Sequence, residues 1–384
     1  MIRGQTSGIR RIHRNRYGFQ YTGHPTRVYH GAKMYYHTSG ESHGKGILAL
    51  VEGFPAGFKV NVEAINAELR RRQGGYGRGA RQAIESDSVE FLGGIWQGQT
   101  TGAPIAIWVK NKDEKLDQMP QVEYPRPGHA DLSGSVKYSQ PIRPVLERSS
   151  ARETAGRVAA GALARQLLES HGIEIAGYVV SLGPLDLRPE TELPFDELVP
   201  LRNRSVVYST VPHRDGEAMK LIDEIAEKGD TLGGIVEVRV RGVPVGLGTY
   251  VQWDEKLDGR IAQAVMSIQA IKGVEIGLGF EAARRLGSMV HDPIKHDLER
   301  GIYRSSNNAG GVEGGMSNGE EIVIRAAMKP IPTLRNPLES VHWQTMQPRP
   351  AQYERSDVCA VPATSVVVEN VLAMEIAREL VNSR

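Results

Sequence analysis

An α+β fold is the class this 384-residue sequence predicts. Short apolar, β-branched runs of strand length stand beside long stretches of helical periodicity. The two kinds do not follow the regular strand–helix alternation of a doubly wound parallel sheet. No repeat of roughly 20–50 residues is visible, which removes solenoids and propellers.

Taken in chain order, Ile47–Glu52 is the first predicted strand. Glu63–Gln73 is a helix with an arginine-rich end, stopped by Gly74-Gly75. Ala103–Val109 is a second strand. Ala151–His171 is the clearest helix, with Ala155, Val158, Ala159, Ala162, Leu163 and Leu167 mostly at steps of three and four and Gly172 at its end. Ser150, with Glu153 three residues on, predicts a capping box at its start. Ile235–Val240 and Ile322–Met328 are strands of apolar and β-branched content, and Asp258–Ile271 and Ser365–Asn382 are helices. The proline-containing Gln118–Pro127 and Pro184–Pro200 are predicted loops within one domain, because candidate site residues lie on both sides of each.

Composition bounds the function. Hydrophobic residues are 40% and charged residues 24%, the balance of a soluble globular protein. No apolar run reaches the ~18–20 residues that span a bilayer, so no membrane role is expected. One cysteine, Cys359, excludes an internal disulfide and points to a reducing, cytoplasmic home; its apolar neighbours predict a buried thiol. Residues 1–33 hold seven Lys or Arg and no Asp or Glu, leaving 40 basic against 45 acidic residues in the rest. That mildly acidic body argues against nucleic-acid binding. The basic N-terminal extension 1–33 is read as a disordered arm or an upstream start-site artefact, with Met34 as the native start of a single domain over 34–384. A nucleic-acid-binding tail and a transit peptide are the alternatives, the single Ser7 counting against the second.

Histidine, serine, arginine and glycine recur together in separated segments. Gly40-Glu41-Ser42-His43-Gly44 and Arg126-Pro127-Gly128-His129-Ala130-Asp131 each place a histidine, able to change charge near neutrality, in a glycine-containing turn. Glu147-Arg148-Ser149-Ser150-Ala151-Arg152-Glu153-Thr154 leads into a helix, whose exposed N–H groups, bracketed by Arg148 and Arg152, favour an anion. Arg70–Gly79 combines a basic run with glycines, so that Arg72 and Arg78 are candidates for bidentate clamping of carboxylate or phosphate. Lys329-Pro330-Ile331-Pro332-Thr333 is either a rigid edge or a stiff ledge for a planar cofactor. Gly277–Ala282 matches a loose dinucleotide fingerprint without the surrounding βαβ unit. His291-Asp292 and His296-Asp297 fit no strong metal spacing and are read as a surface loop; no metal is expected.

The first of these motifs, followed by an apolar run and Glu52-Gly53-Phe54-Pro55-Ala56-Gly57, strongly resembles the chorismate synthase family. So do Arg126–Asp131, Arg148–Thr154, Gly310–Met316, Lys329–Thr333 and Arg355-Ser356-Asp357, over Met34 to about Arg378 and in the expected order. The resemblance implies anti-1,4-elimination of phosphate from 5-enolpyruvylshikimate 3-phosphate to give chorismate, with obligatory reduced FMN. It implies a homotetramer of subunits built as a β-α-β sandwich, a helical core flanked by antiparallel sheets. By carry-over His43 protonates or hydrogen-bonds the leaving phosphate, His129 sits by the flavin N1–C2 edge, and Asp357 helps flavin N5 act on the substrate's C6 proton. Arg72, Arg78, Arg126, Arg152 and Arg355 would clamp the substrate's anions, with Ser42 and Ser150 as hydrogen-bonding support. FMN contacts fall on Arg148, Ser149, Ser150, Gln269, Ala270, Gly314, Lys329, Pro330, Ile331, Pro332, Thr333 and Arg355. Gln269 departs from the asparagine of many relatives. Arg72 and Arg78 are also candidates for an NADPH phosphate; with no added reductase domain in view, an external flavin reductase is the expected partner. A non-enzymatic flavin or phosphate binder and a phosphate-ester hydrolase are the competing classes.

Overall fold

The computed structural model describes residues 33–79, 86–299 and 301–382; apart from Lys33, the basic extension lies outside the described residues. Two antiparallel sheets carry the chain. In the first, β1 (Tyr35–Ser39), β2 (Gly46–Glu52), β3 (Val89–Gly93) and β4 (Ile105–Lys110) run in the order β1-β2-β4-β3. The register pairs Ile47 with Val109, Ala49 with Ile107 and Val51 with Ile105, so one face of β2 and β4 is wholly apolar and buried. β4 begins two residues later than expected because Pro104, lacking an N–H, stands before it.

The second sheet holds β5 (Glu174–Leu182), β6 (Leu185–Asp186), β7 (Gly234–Arg241), β8 (Ile271–Ile276) and β9 (Ile322–Met328), in the order β8-β9-β7-β5-β6. Strict alternation on β9 buries Ile322, Ile324, Ala326 and Met328. The first three lie opposite Val240, Val238 and Val236 of β7.

Helices α1 (Val62–Gln73), α2 (Asp131–Tyr138), α3 (Ile142–Ser149), α4 (Thr154–Glu169), α5 (Leu257–Met266) and α6 (Val361–Asn382) complete the frame. α4 packs on β2 and β4 and also on α6, and α6 packs on β5 and β7. α6 is buried nearly all round, and Val, Ala, Leu, Ile and Met make up most of it, with Glu369 and Asn370 buried among them. α4 and α6 approach closely at Gly161, where an added Cβ would fall 2.1 Å from the Asn370 carbonyl oxygen. Among these helices Glu369 is fully buried and faces three guanidinium groups: Arg71 of α1 at 2.8 Å, Arg165 of α4 at 3.0 Å and Arg202 at 3.2 Å. Burial pushes its carboxyl up, but the three arginines outweigh burial and hold it near 2. Cys359 is buried, and burial pushes its thiol up to about 11.

Several expectations are corrected. The helix foreseen over Ala151–His171 begins as a single 3₁₀ turn, Ala151–Glu153, and continues as α4 only to Glu169. The capping box is incomplete: Ser150 accepts the Arg152 N–H, while the Glu153 carboxylate turns to Thr38, Arg157 and Gln269. Asp258–Ile271 is not one helix; α5 stops at Met266 and Ala270, with φ +67°, reverses the chain into β8. Pro184–Pro200 is not all loop, since Leu185–Asp186 pairs as β6 and Phe195–Arg204 is a helix with Pro200 inside it. Its first turn carries Asp196 and Glu197, and buried Phe195 and Leu198 pack under β5, which together outweigh the proline. Residues Ile294–Asp297 form a hairpin with Gly301–Arg304 in place of the expected loop.

Gly161→Ala is expected to lose roughly 1–3 kcal/mol because α4 and α6 must separate. Gly216→Ala, where an added Cβ meets nothing within 4 Å, serves as the control and loses nothing. Urea unfolding of the two variants checks the contrast; equal stability would show that the helix crossing tolerates a methyl group.

Candidate active site

Successive residues on α1 are about 100° apart, so its terminal arginines diverge. Arg70 pairs with Glu63 at the surface, Arg71 turns inward to Glu369, and Arg72 is buried with its Nη2 2.9 Å from Asp87. The following glycines then fold the chain onto the start of α6. Gly75 and Gly77 have φ of +92° and +90°, and a Cβ on them would lie 2.5 Å from Pro362 and 2.9 Å from Cys359. This brings Arg78 Nη1 to 2.8 Å from Asp357, which also accepts the Gly79 N–H at 2.6 Å.

Arg152 reaches the same region from the start of α4. Its Nη1 lies 2.8 Å from both Asp87 oxygens, and its Nε donates to Asn111 Oδ1 at 2.8 Å. One buried carboxylate thus holds two arginines. Burial lowers the Arg72 guanidinium to about 10, with Arg152 and Arg78 adding to the fall and Asp87 opposing it.

A second anchor forms at α2. Asp131, its first residue, accepts Arg126 Nε at 2.9 Å, the Arg126 N–H at 3.0 Å and His129 Nδ1 at 2.5 Å. Burial acts to raise the Asp131 carboxyl, but bonds from His129 and Arg126 hold it well below the carboxylate range. Ionised, Asp131 only accepts, so the neutral His129 ring carries its proton on Nδ1, and Nε2 lies 3.3 Å from Arg126 Nη2. Arg126 Nη1 reaches Thr333 Oγ1 at 2.8 Å, and Lys329 Nζ donates to the Gly128 carbonyl, so the Lys329–Thr333 run is tied to this turn.

These side chains surround a cavity of about 370 Å³. Among the described residues Arg72, Arg78, Arg126, Arg152, Lys329 and Arg355 face it, against the single carboxylate of Asp357. Ile268, Met328, Ile331, Pro332 and Val367 give it an apolar wall. Ser149, Ser150, His129, Gln269, Ala270 and Thr333 line it too. Among the described residues Arg72 Nε, Arg78 Nε and Gln269 Oε1 are buried without a hydrogen-bond partner. Gln269 Nε2 donates to Glu153 at 3.1 Å, which leaves Oε1 as an acceptor. Arg355 is exposed and makes no bond among the described residues.

Other expected residues do not reach this cavity. Arg148 is exposed and ties α3 to β1 through Thr38 and Gly40. Gly314 sits in the turn between Val312–Glu313 and Met316–Ser317. Pro330 is absent from the lining while its neighbours are present. Ser42 is buried and donates its N–H to the Glu147 carbonyl at 3.1 Å. His43 faces a neighbouring cavity of about 510 Å³ beside Glu41, Lys45, Trp108 and Lys115. Glu147 holds it there, with Oε2 2.8 Å from His43 Nδ1. Asn111 joins the two cavities, since it accepts from Arg152 and donates to the carbonyls of Glu41, Ser42 and Gly44. Asp87 and Asn111 escape sequence reasoning, as does the role of Glu147. Asp87 sits between Ser86 and Ser88 and Asn111 between Lys110 and Lys112, so neither stands out from its polar neighbours, and Glu147 acts on a partner 104 residues away.

The chorismate synthase family model matches residues 34–381. The chain is 54% identical to the chorismate synthase of Geotalea daltonii over 362 residues, covering 89% of this chain and 92% of that one. It is 51% identical to the chorismate synthase of Aquifex aeolicus over 366 residues, covering 89% and 91%. A crystal structure of a chorismate synthase superposes with a TM-score of 0.76 at 44% identity, covering 91% of this chain and 92% of that one.

Because the folded state depresses the Asp131 carboxyl, its contribution to stability is fully present above the ordinary aspartate range and is lost as pH falls through the folded value. Asp131→Asn is expected to cost roughly 3 kcal/mol at neutral pH, as breaking a buried pair does. The gap to the parent should narrow as the solution is acidified below about pH 4. Denaturant midpoints across pH measure this, and a gap that stays constant would mean the carboxylate is not what Arg126 and His129 depend on.

Proposed function

The chain belongs to the chorismate synthase family and is a lyase of that kind, and on that premise we propose that it eliminates phosphate from 5-enolpyruvylshikimate 3-phosphate to give chorismate, using reduced FMN. The observation that carries this reading is the cavity's charge: among the described residues five arginines and one lysine face it with one carboxylate. A substrate with two carboxylates and a phosphate matches that surplus.

The residues also suit the flavin. The apolar wall accepts a planar ring, the cations accept its phosphate, and Gln269 Oε1 offers a buried acceptor to a ring N–H. Ser149, Ser150, Gln269, Ala270, Lys329, Ile331, Pro332, Thr333 and Arg355 are the residues assigned to hold it; Arg148, Gly314 and Pro330, which the resemblance also implies, lie outside the lining. When bound, reduced FMN lends electron density that lets the allylic C–O bond break without net redox change.

The protein binds, orients and moves protons. Arg72, Arg78, Arg126 and Arg152 are assigned to the substrate's anions. Asp87, Asp131 and Asp357 fix their geometry. The phosphate end is the Arg152 end, which Asn111 joins to the turn bearing Ser42 and His43, and His43 gives the proton to the leaving phosphate there. His129, with Asp131 on Nδ1, presents Nε2 to the cofactor's edge. Asp357 is assigned to the proton that leaves carbon 6.

The finer assembly follows the family. Contacts of α4 with the first sheet and α6 with the second support helices layered between two antiparallel sheets. Exposed Tyr250, Trp253, Phe280, Leu286 and Leu298 support a subunit covered by further copies, consistent with a homotetramer. The single buried cysteine supports a reducing, cytoplasmic setting. No helix among the described residues is long and apolar enough to cross a membrane. An external flavin reductase is the proposed source of electrons.

Anaerobic incubation of the full chain with 5-enolpyruvylshikimate 3-phosphate and dithionite-reduced FMN should release phosphate and form chorismate, followed by absorbance, while oxidised FMN gives none. Release of phosphate without chorismate would instead indicate ester hydrolysis. His43→Ala and His129→Ala are each expected to slow turnover by ~10²–10⁴-fold and to retain residual activity. Complete loss in a folded variant would remove that histidine from a purely acid–base role.

A further inference from the structure

Glu147 lies on α3 with its side chain fully buried, and it does not line the arginine cavity. Oε2 takes two bonds from one residue, the His43 ring Nδ1 at 2.8 Å and the His43 backbone N–H at 2.9 Å. Oε1 faces Arg143 Nη1 at 3.3 Å, and Arg143 is itself held by Glu354 and the Pro120 carbonyl. The His43 carbonyl accepts the N–H groups of Lys115 and Leu116. Both sides of the residue are therefore clamped.

A carboxylate only accepts, so the atom facing it must bear a hydrogen. Burial opposes the charge on Glu147, but bonds from His43 and Arg143 outweigh burial and keep the carboxyl below its ordinary range. The neutral ring then carries its proton on Nδ1. Nε2 lies 3.6 Å from Asp113, beyond hydrogen-bond reach, and the ring is 14% exposed on the neighbouring cavity. Asp113 is already paired with Lys115 at 2.8 Å.

We propose that Glu147 is a positioning residue: it holds His43 in the Nδ1–H tautomer and presents Nε2 as the atom that carries and releases the proton. The proposal rests on His43 acting as the acid for the leaving phosphate. Protonated, the ring sits between Glu147 on one side and Asp113 on the other, so the charge it gains is matched before transfer. Among the described residues the other charged groups around this cavity are Glu41, Lys45, Glu114, Lys115 and Asp117, with Arg143 behind Glu147.

Two replacements of Glu147 separate its charge from its hold on the tautomer. In Glu147→Gln the one carbonyl oxygen stays on the His43 backbone N–H and Nδ1–H, the amide NH₂ faces Arg143, and the negative charge beside the ring is lost. In Glu147→Ala the acceptor is gone and nothing holds the ring proton on Nδ1. Nitrogen NMR of histidine-labelled full-length protein, with His43→Asn identifying the resonance, should show Nδ1–H in the parent and in Glu147→Gln, and a shift toward Nε2–H in Glu147→Ala. In Glu147→Ala kcat should fall on the order of 10²-fold with KM little changed and an altered pH–rate profile. Glu147→Asp, which keeps the charge on a shorter arm, should recover part of the rate.

An Nε2–H tautomer in the parent overturns the proposal, and that measurement stands even if Glu147→Ala fails to fold. A rate loss in His43→Asn with none in Glu147→Ala also overturns it, while leaving the acid role of His43 intact. Unchanged rates in both variants sink the acid role and the positioning role together.

Discussion

Guanidinium groups repel one another, and Arg72 and Arg152 point at one space because the buried carboxylate of Asp87 holds both. The two arginines come from the end of α1 and the start of α4, so this anion also fixes how those helices meet the cavity. Arg71, one residue earlier, turns to the other face of α1 and is neutralised by Glu369 and Glu68. One basic run thus serves two ends. Its inward member locks the helical core, and its last member is left with more positive charge around it than its own acid can cancel.

That division explains what sequence could and could not reveal. Strand Ile322–Met328 was legible to the residue because a sheet with one buried face imposes period two. The clearest helix was legible in its body and not at its start, since the Glu153 carboxylate found better partners in Thr38, Arg157 and Gln269 than in a cap. Asp258–Ile271 failed because the chain reverses at Ala270, a left-handed position with no glycine to announce it. The proline of Phe195–Arg204 hid a helix that burial of Phe195 and Leu198 sustains.

The site divides along a similar line. His129 and Asp131 are two residues apart, so a local motif carried both the ring and the carboxylate that orients it. His43 was equally visible in its glycine turn, but its carboxylate lies 104 residues away on α3. Asn111 shows the same limit: its NH₂ group, shared among three carbonyls of the Glu41–Gly44 turn, and its accepted bond from Arg152 find these partners only after folding. Motifs display the groups that meet ligands. The residues that aim those groups are scattered, and tertiary structure alone collects them.

Both histidines are gripped at Nδ1 by a buried carboxylate, and both carboxylates are also bound by an arginine, Arg126 in one case and Arg143 in the other. The arginine matters as much as the acid. A lone buried carboxylate would raise its own proton affinity and compete for the ring proton, whereas one already bound by a guanidinium stays ionised and only accepts. In the neutral ring the proton then stays on Nδ1, on the side the fold has chosen. Near the arginine cavity the balance is different: buried donors such as Arg72 Nε and Arg78 Nε have no acceptor among the described residues, each a folding cost of roughly 1–3 kcal/mol. Side chains kept in that condition by Asp87 and Asp357 are preorganised for anions, because a ligand that supplies the acceptors relieves a cost the fold has already met.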